Sequence, residues 1–139
     1  MAAIEREVFT DPWSRRSFEE ILDLRHVRGL VIEDDAGTLA GYAVYSAVAG
    51  EGEILNLAVA TGARRRGAGQ ALLSAALDRL AAEGAATVFL EVRRSNQAAI
   101  KMYEAAGFAA LGVRPDYYRR PTEDALTMAL DTALRSAEI

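Results

Sequence analysis

Apolar residues recur along this chain with two periods, and the alternation between them predicts its elements. Ile4 and Val8 lie four apart, so Ala2 to Val8 reads as the end of a helix. The run Phe9-Thr10-Asp11-Pro12-Trp13 breaks it. A second helix follows, capped by Ser14 or by Ser17, with Ser17 and Glu20 in capping-box spacing. It is expected to reach about His26 and to bury Phe18, Ile21 and Leu22. Strands are predicted at Gly29 to Glu33, Leu39 to Val48 and Glu53 to Val59. Turns at Asp34-Asp35-Ala36-Gly37 and Gly50-Glu51-Gly52 separate them. Leu72, Leu73, Ala76, Leu77 and Leu80 return to helical spacing, so a helix runs from about Ala68 to Glu83, with Gly84 as its stop. Ala86 to Val92 is a strand of buried type. Ser95 or Asn96 then caps a helix over Gln97 to Ala106, which Gly107 ends. Phe108 to Val113 is a strand, Arg114 to Thr122 a loop, and Ala125 to Leu130 the last strand. The order αα-βββ-α-β-α-ββ predicts an α/β sandwich around a mixed sheet.

Composition narrows what such a sandwich can do. At 139 residues and 51% hydrophobic, the chain suits one compact domain over its full length. A net charge of -4 argues against nucleic-acid binding, and the positive charge is local, at Arg64 to Arg66. With no cysteine there is no disulfide, thiolate metal site or cysteine acyl-enzyme, which is compatible with a reducing cytoplasm. The single histidine, His26, cannot build a histidine metal cluster, and it reads as a surface or capping residue. No metal is expected. No apolar run approaches the ~20 residues of a membrane span, and the start lacks a signal-peptide pattern.

The stretch with chemical promise is in the middle. An apolar strand, Asn56-Leu57-Ala58-Val59, enters the loop Thr61-Gly62-Ala63-Arg64-Arg65-Arg66-Gly67-Ala68-Gly69, which opens the long helix. A helix start presents unpaired amides and the positive end of its dipole, so anions are favoured there. Gly67 and Gly69 have no Cβ, which lets a phosphate sit against the backbone. The spacing fits neither G-x-x-x-x-G-K-[ST] nor G-x-G-x-x-G.

The segment Arg64-Arg65-Arg66-Gly67-Ala68-Gly69 resembles the acyl-CoA pyrophosphate loop, Gln/Arg-x-x-Gly-x-Gly/Ala, of the GCN5-related N-acetyltransferase (GNAT) superfamily. Pro12-Trp13-Ser14, Leu90-Glu91-Val92-Arg93, Ser95-Asn96, Tyr103, Gly107-Phe108, Tyr117-Tyr118 and Glu123-Asp124-Ala125 follow in register. The ordered set is similar to the ribosomal-protein-alanine N-acetyltransferase (RimI) branch. The resemblance implies the acyl-CoA N-acyltransferase fold, a mixed, mostly antiparallel sheet flanked by helices. It implies acetyl-CoA as co-substrate and transfer in a ternary complex to a protein N-terminus, that of small-subunit ribosomal protein eighteen. A non-catalytic acetyl-CoA-binding partner and a small-amine or lysine acetyltransferase are the alternatives.

By the same resemblance, Arg65, Arg66, Gly67, Ala68, Gly69 and Gln70 hold the pyrophosphate. Backbone at Leu57, Ala58 and Val59 pairs with pantetheine, and Asn96 hydrogen-bonds its arm. Transfer from a thioester to an amine needs a neutral amine, a polarised carbonyl and a proton for the departing thiolate. An α-amine, with a pKa near 8 against about 10.4 for lysine, needs less help from a base. Glu91 is the candidate base, a carboxylate in an apolar strand that must find a partner such as Arg93 or shift its pKa upward. Tyr103 is the candidate acid: it resembles the family tyrosine that is assigned this task, and positions 96, 99, 100 and 103 share one helix face, so Asn96 and Tyr103 can address the same ligand. Trp13, Tyr117 and Tyr118 are candidate walls for the acceptor.

The superfamily opens with an edge strand, whereas Met1 here falls within the first helix. A sheet lacking that strand would expose an edge. Edge-mediated pairing or reduced solubility is the expected consequence, and light scattering across concentrations tests it: a monodisperse monomer counts against it.

Overall fold

The computed structural model describes residues 1–8, 13–63 and 67–133. Arg65, Arg66 and Pro12 lie outside them. Two short helices come first, α1 (Ala2–Val8) and α2 (Arg15–Leu22). Strands β1 (Val27–Glu33), β2 (Leu39–Val48) and β3 (Glu51–Val59) lead into α3 (Ala68–Ala82). Strand β4 (Thr87–Arg93), α4 (Gln97–Ala106), β5 (Ala109–Tyr118) and β6 (Glu123–Asp131) complete the order. Among the described residues no strand precedes α1.

The strands form one sheet in the order β1-β2-β3-β4-β6-β5. Both halves are antiparallel, β1-β2-β3 on one side and β4-β6-β5 on the other. They join along a short parallel seam, from Glu51 opposite Thr87 to Ile54 opposite Leu90. Helix α3 supplies the crossover that a parallel pair requires.

Each face of the sheet has its own apolar cluster. Leu73, Ala76, Leu77 and Leu80 of α3 and Ile100 and Tyr103 of α4 pack against Tyr45, Ile54, Val88, Leu90, Val92 and Met128. Ile4 of α1 and Phe18 of α2 pack on the other face against Val27, Tyr42, Val44 and Ala58. Strand alternation therefore divides β4: Leu90 and Val92 point toward α3 and α4, and Phe89, Glu91 and Arg93 point the opposite way. Fully burying each core leucine contributes about 1.5–3 kcal/mol.

Several boundaries move from the sequence expectation, each for a local reason. The Ser14 hydroxyl accepts from Ser17 N–H at 3.1 Å, so Ser14 is the cap of α2 and the Ser17–Glu20 box is not formed. Helix α2 ends at Leu22, and His26 lies in the turn before β1. The β2–β3 turn is confined to Ala49 and Gly50, both at positive φ, which frees Gly52 to be a strand residue. A Cβ at Gly52 would come within 3.1 Å of Leu80 Cδ2, so the strand needs glycine where α3 crosses. Strand β5 continues past Val113 to Tyr118, which puts Tyr117 and Tyr118 on a strand end instead of in a loop.

Gly107 ends α4 at φ 110°, where an added Cβ would meet Leu130 Cδ1 at 2.7 Å. Gly107→Ala is therefore expected to destabilise the fold by about 1–3 kcal/mol, read as a lower urea midpoint with an unchanged slope.

Candidate active site

The site begins where the seam stops. Beyond Ile54 and Leu90, β3 and β4 are no longer paired, while β3 stays bonded to β2 as far as Val59 opposite Gly41. A bulge marks the place: Val44 faces Asn56 and Tyr45 faces Ile54, leaving Leu55 as the extra residue. The edge of β3 from Leu55 onward is thus not matched by β4, and its main-chain groups face an open wedge. A cleft of about 520 Å³ fills that wedge. Ile54 to Leu57 and Leu90 to Arg93 form its two walls. Ser95, Asn96, Ala99, Met102 and Tyr103 close one side, and Glu5, Trp13 and Tyr118 line the other.

Glu91 stands at the cleft with its side chain 18% exposed. One carboxylate oxygen accepts from Arg114 Nη1 at 2.5 Å. The other, Oε2, is buried and has no hydrogen-bond partner among the described residues. The expected partner Arg93 is committed elsewhere. It donates to the carbonyls of Pro121 and Arg119 at 2.9 and 2.6 Å and pairs with Glu123 at 3.3 Å. Alternation explains the exchange. Arg114 lies opposite Ala125 in β5, and Ala125 lies opposite Arg93, so Arg114 and Arg93 flank the face from which Glu91 projects. The guanidinium of Arg114 also lies 4.5 Å from the centroid of the Tyr117 ring. Glu53, on the same face, has its pKa raised by burial and then by the Glu91 charge.

Tyr103 enters from the opposite face of the sheet, on α4. It is 7% exposed, packs edge-on to Phe108 at 5.8 Å, and still lines the cleft. Its hydroxyl makes no hydrogen bond among the described residues. Burial pushes its pKa up to about 12, so at neutral pH it is a proton donor. Asn96 is the N-cap of α4, its Oδ1 accepting from Ala99 N–H at 3.2 Å, and it remains in the cleft wall. Next to it, the Ser95 hydroxyl and N–H both bind Glu123, at 3.0 and 2.6 Å. Those bonds, led by the hydroxyl, lower the pKa of Glu123. Arg93, Glu123 and Ser95 together fasten the β5–β6 hairpin to the start of α4.

The other expected site residues divide. Leu57 lines the cleft, whereas Ala58 is buried toward α1 and α2 and Val59 lies beyond the walls. Gly67 adopts φ 76° at the start of α3, and a Cβ there would meet nothing within 4 Å among the described residues. Gly69 has a packing reason to be glycine beside the expected one. A Cβ would come within 3.1 Å of Met102 Sδ, so Gly69 lets α3 approach α4. Gln70 lines a smaller pocket of about 240 Å³ with Leu73, Ser74, Met102, Ala105 and Ala106. Trp13 and Tyr118 line the main cleft. Tyr117 is 46% exposed and does not line it, although it packs edge-on to Tyr118 at 5.0 Å.

One group escaped the sequence reading. Glu5 of α1 is 2% exposed, and no salt bridge holds it among the described residues. Its Oε1 accepts from the Tyr42 hydroxyl and from Asn56 Nδ2, the latter at 2.7 Å, and its Oε2 accepts from the Trp13 N–H at 2.7 Å. The Tyr42 pKa is raised, first by its own burial and then by the hydrogen bond to Glu5. A signal existed. Positions 1, 4, 5 and 8 make one helical stripe, and Glu5 is the charge on it. Asn56 is likewise the polar residue in the apolar run Ile54 to Val59.

Known proteins share this fold. The family model described as Acetyltransferase (GNAT) family matches residues 1–108. The [ribosomal protein bS18]-alanine N-acetyltransferase of Escherichia coli K12 is 37% identical over 135 residues, spanning 94% of this chain and 88% of that protein. The crystal structure of the ribosomal-protein-S18-alanine N-acetyltransferase from Escherichia coli superposes with a TM-score of 0.86 at 35% identity, covering 94% of this chain and 84% of that one. The NatC complex bound to Gag peptide and CoA shares the fold, with a TM-score of 0.81 at 22% identity over 94% of this chain and 87% of that one. The chain belongs to the GNAT acetyltransferase family, in its ribosomal-protein-alanine N-acetyltransferase branch.

Proposed function

We propose that this chain, acting as one domain in the cytoplasm, transfers an acetyl group from acetyl-CoA to the N-terminal α-amine of a protein, and that its acceptor is the N-terminal alanine of ribosomal protein S18. The observation that carries the reading is that one cleft is lined both by Glu91, whose buried Oε2 has no hydrogen-bond partner among the described residues, and by Tyr103, whose hydroxyl burial keeps protonated. The acceptor is supported by the names of the relatives at 37% identity.

The cleft fits acetyl-CoA. The unmatched edge of β3 offers main-chain groups from Leu55 to Val59 to pantetheine amides, Asn96 can offer its Nδ2 while Oδ1 caps α4, and the Gly67 backbone starts the α3 helix. Ala68, Gly69 and Gln70 continue its first turn, with Arg65 and Arg66 proposed for the phosphates by resemblance alone. Acetyl-CoA supplies the activated acyl group as a thioester. The residues of this chain handle the protons and the position of the amine. Arg114 fixes Glu91 through one oxygen and leaves the other to accept a proton from the amine, directly or through a water. Tyr103 donates to the departing sulfur from the far side of the sheet. Trp13 and Tyr118 form the acceptor walls, and Tyr117 holds Arg114 from outside.

The test uses mass spectrometry with two peptides and acetyl-CoA. One peptide begins Ala-Arg-Tyr with a free amine; the other has the same sequence, a blocked N-terminus and an internal lysine. Acetylation of the first alone is expected. Modification of the lysine alone overturns the acceptor, and no product from either overturns the enzymatic reading. Glu91→Gln and Tyr103→Phe are each expected to lower kcat by about a hundredfold while acetyl-CoA affinity changes by less than about threefold.

The acid form of Tyr103 is the active one, and its pKa of about 12 keeps it in that form on the alkaline side. The kcat profile is therefore expected to show no decline up to about pH 10. A falling limb near pH 8 or 9 that Tyr103→Phe removes would contradict this assignment.

A further inference from the structure

Glu5 is a buried carboxylate that the proposed chemistry leaves unused. It lines the cleft beside Trp13, on the face from which Glu91 projects. A carboxylate offers about four acceptor positions. Three are filled, by the Tyr42 hydroxyl, Asn56 Nδ2 and the Trp13 N–H. No lysine or arginine pairs with it among the described residues. A buried anion without a cation is costly, and its neutral donors offset only part of the lost hydration. Among the described residues, one acceptor position and one negative charge are thus unmet in the wall of the cleft. A primary ammonium has three donors and one positive charge.

We propose that Glu5 is the acceptor-recognition residue of the cleft: it receives the α-ammonium of the incoming chain on its remaining acceptor position and, through its bonds to Trp13 and Asn56, sets the wall against which that chain lies. This rests on the reading of the cleft as an amine-acetylating site. It assigns Glu5 a task distinct from that of Glu91. Glu5 selects and orients the cationic acceptor as it arrives, and Glu91 takes the proton that the amine loses before attack. The three bonds join α1, β2, β3 and the Trp13 segment, so the recognition charge and the wall move as one unit.

The chain contains a single tryptophan, Trp13, and its fluorescence reports directly on this wall without turnover. Peptide is titrated into the protein saturated with CoA, once with a free N-terminus and once N-acetylated. The wild type is expected to bind the free-amine peptide about tenfold more tightly than the acetylated one. Glu5→Gln is expected to abolish that preference while leaving CoA affinity unchanged. Glu5→Asp, which keeps the charge on a shorter arm, is expected to retain the preference with weaker binding. A wild type that does not distinguish the two peptides overturns the proposal, as does a folded Glu5→Gln or Glu5→Asp with wild-type affinity and full preference. Thermal melting establishes that each variant is folded. If the wild type prefers the free amine but acetylates nothing, the enzymatic reading fails and the assignment of Glu5 stands.

Discussion

The parting of β3 from β4 is the constraint on which the rest depends. Two antiparallel half-sheets share a parallel seam that ends at Ile54 and Leu90. A sheet cannot carry unmatched backbone into its own middle unless something replaces the missing strand pairing. Here the bulge at Leu55 turns β3 aside while its other edge remains bonded to β2. The clusters on both faces hold the wedge open, with α3 and α4 below it and α1 and α2 above one lip. The side chains of β3 serve that packing, Ile54 in one cluster and Ala58 in the other, while its main-chain groups beyond the seam face the cleft.

That split also brings together the two groups proposed to handle protons. Alternation along β4 sends Glu91 to one face, and α4 brings Tyr103 from the other. In an unbroken sheet they would be separated by a layer of backbone. At the wedge they line one cleft from opposite sides, so a reacting carbon between them would meet an acceptor of protons and a donor of protons on different sides. Their environments differ accordingly. Glu91 is tied to a cation at one oxygen, and Tyr103 is packed against Phe108 with its pKa raised by burial.

The local order of elements was legible because helical and strand periods are local properties. The apolar spacing from Leu72 to Leu80 and the runs in β2 and β4 locate their elements to within a few residues. What failed depended on distant neighbours. Gly52 looked like a turn glycine because nothing local reveals that Leu80 will cross it. Tyr117 and Tyr118 looked like loop residues because the pairing that extends β5 comes from Glu123. Glu91 was legible as a carboxylate in need of a partner, but that partner is Arg114, 23 residues away, and not its neighbour Arg93. Gly69 was identified as a position that excludes a side chain, but Met102 of α4 gives a packing reason for it.

Glu5 is the sharper case, because the sequence marks it and still does not explain it. A charge on a buried helical stripe contradicts the pattern around it, and such contradictions gather at functional sites. Its partners Tyr42 and Asn56 lie 37 and 51 residues away, so the network exists only once α1 is seated on β2 and β3. The three donors that meet Glu5 make the carboxylate tolerable there, since an apolar side chain in its place would leave Tyr42, Asn56 and Trp13 without that acceptor, but they bring no positive charge to it. The arrangement gains a rationale when the cleft receives a cation. The charge on Glu5 then becomes a complement to the ligand, and the same three bonds that make the carboxylate tolerable in the core hold it where the ligand arrives.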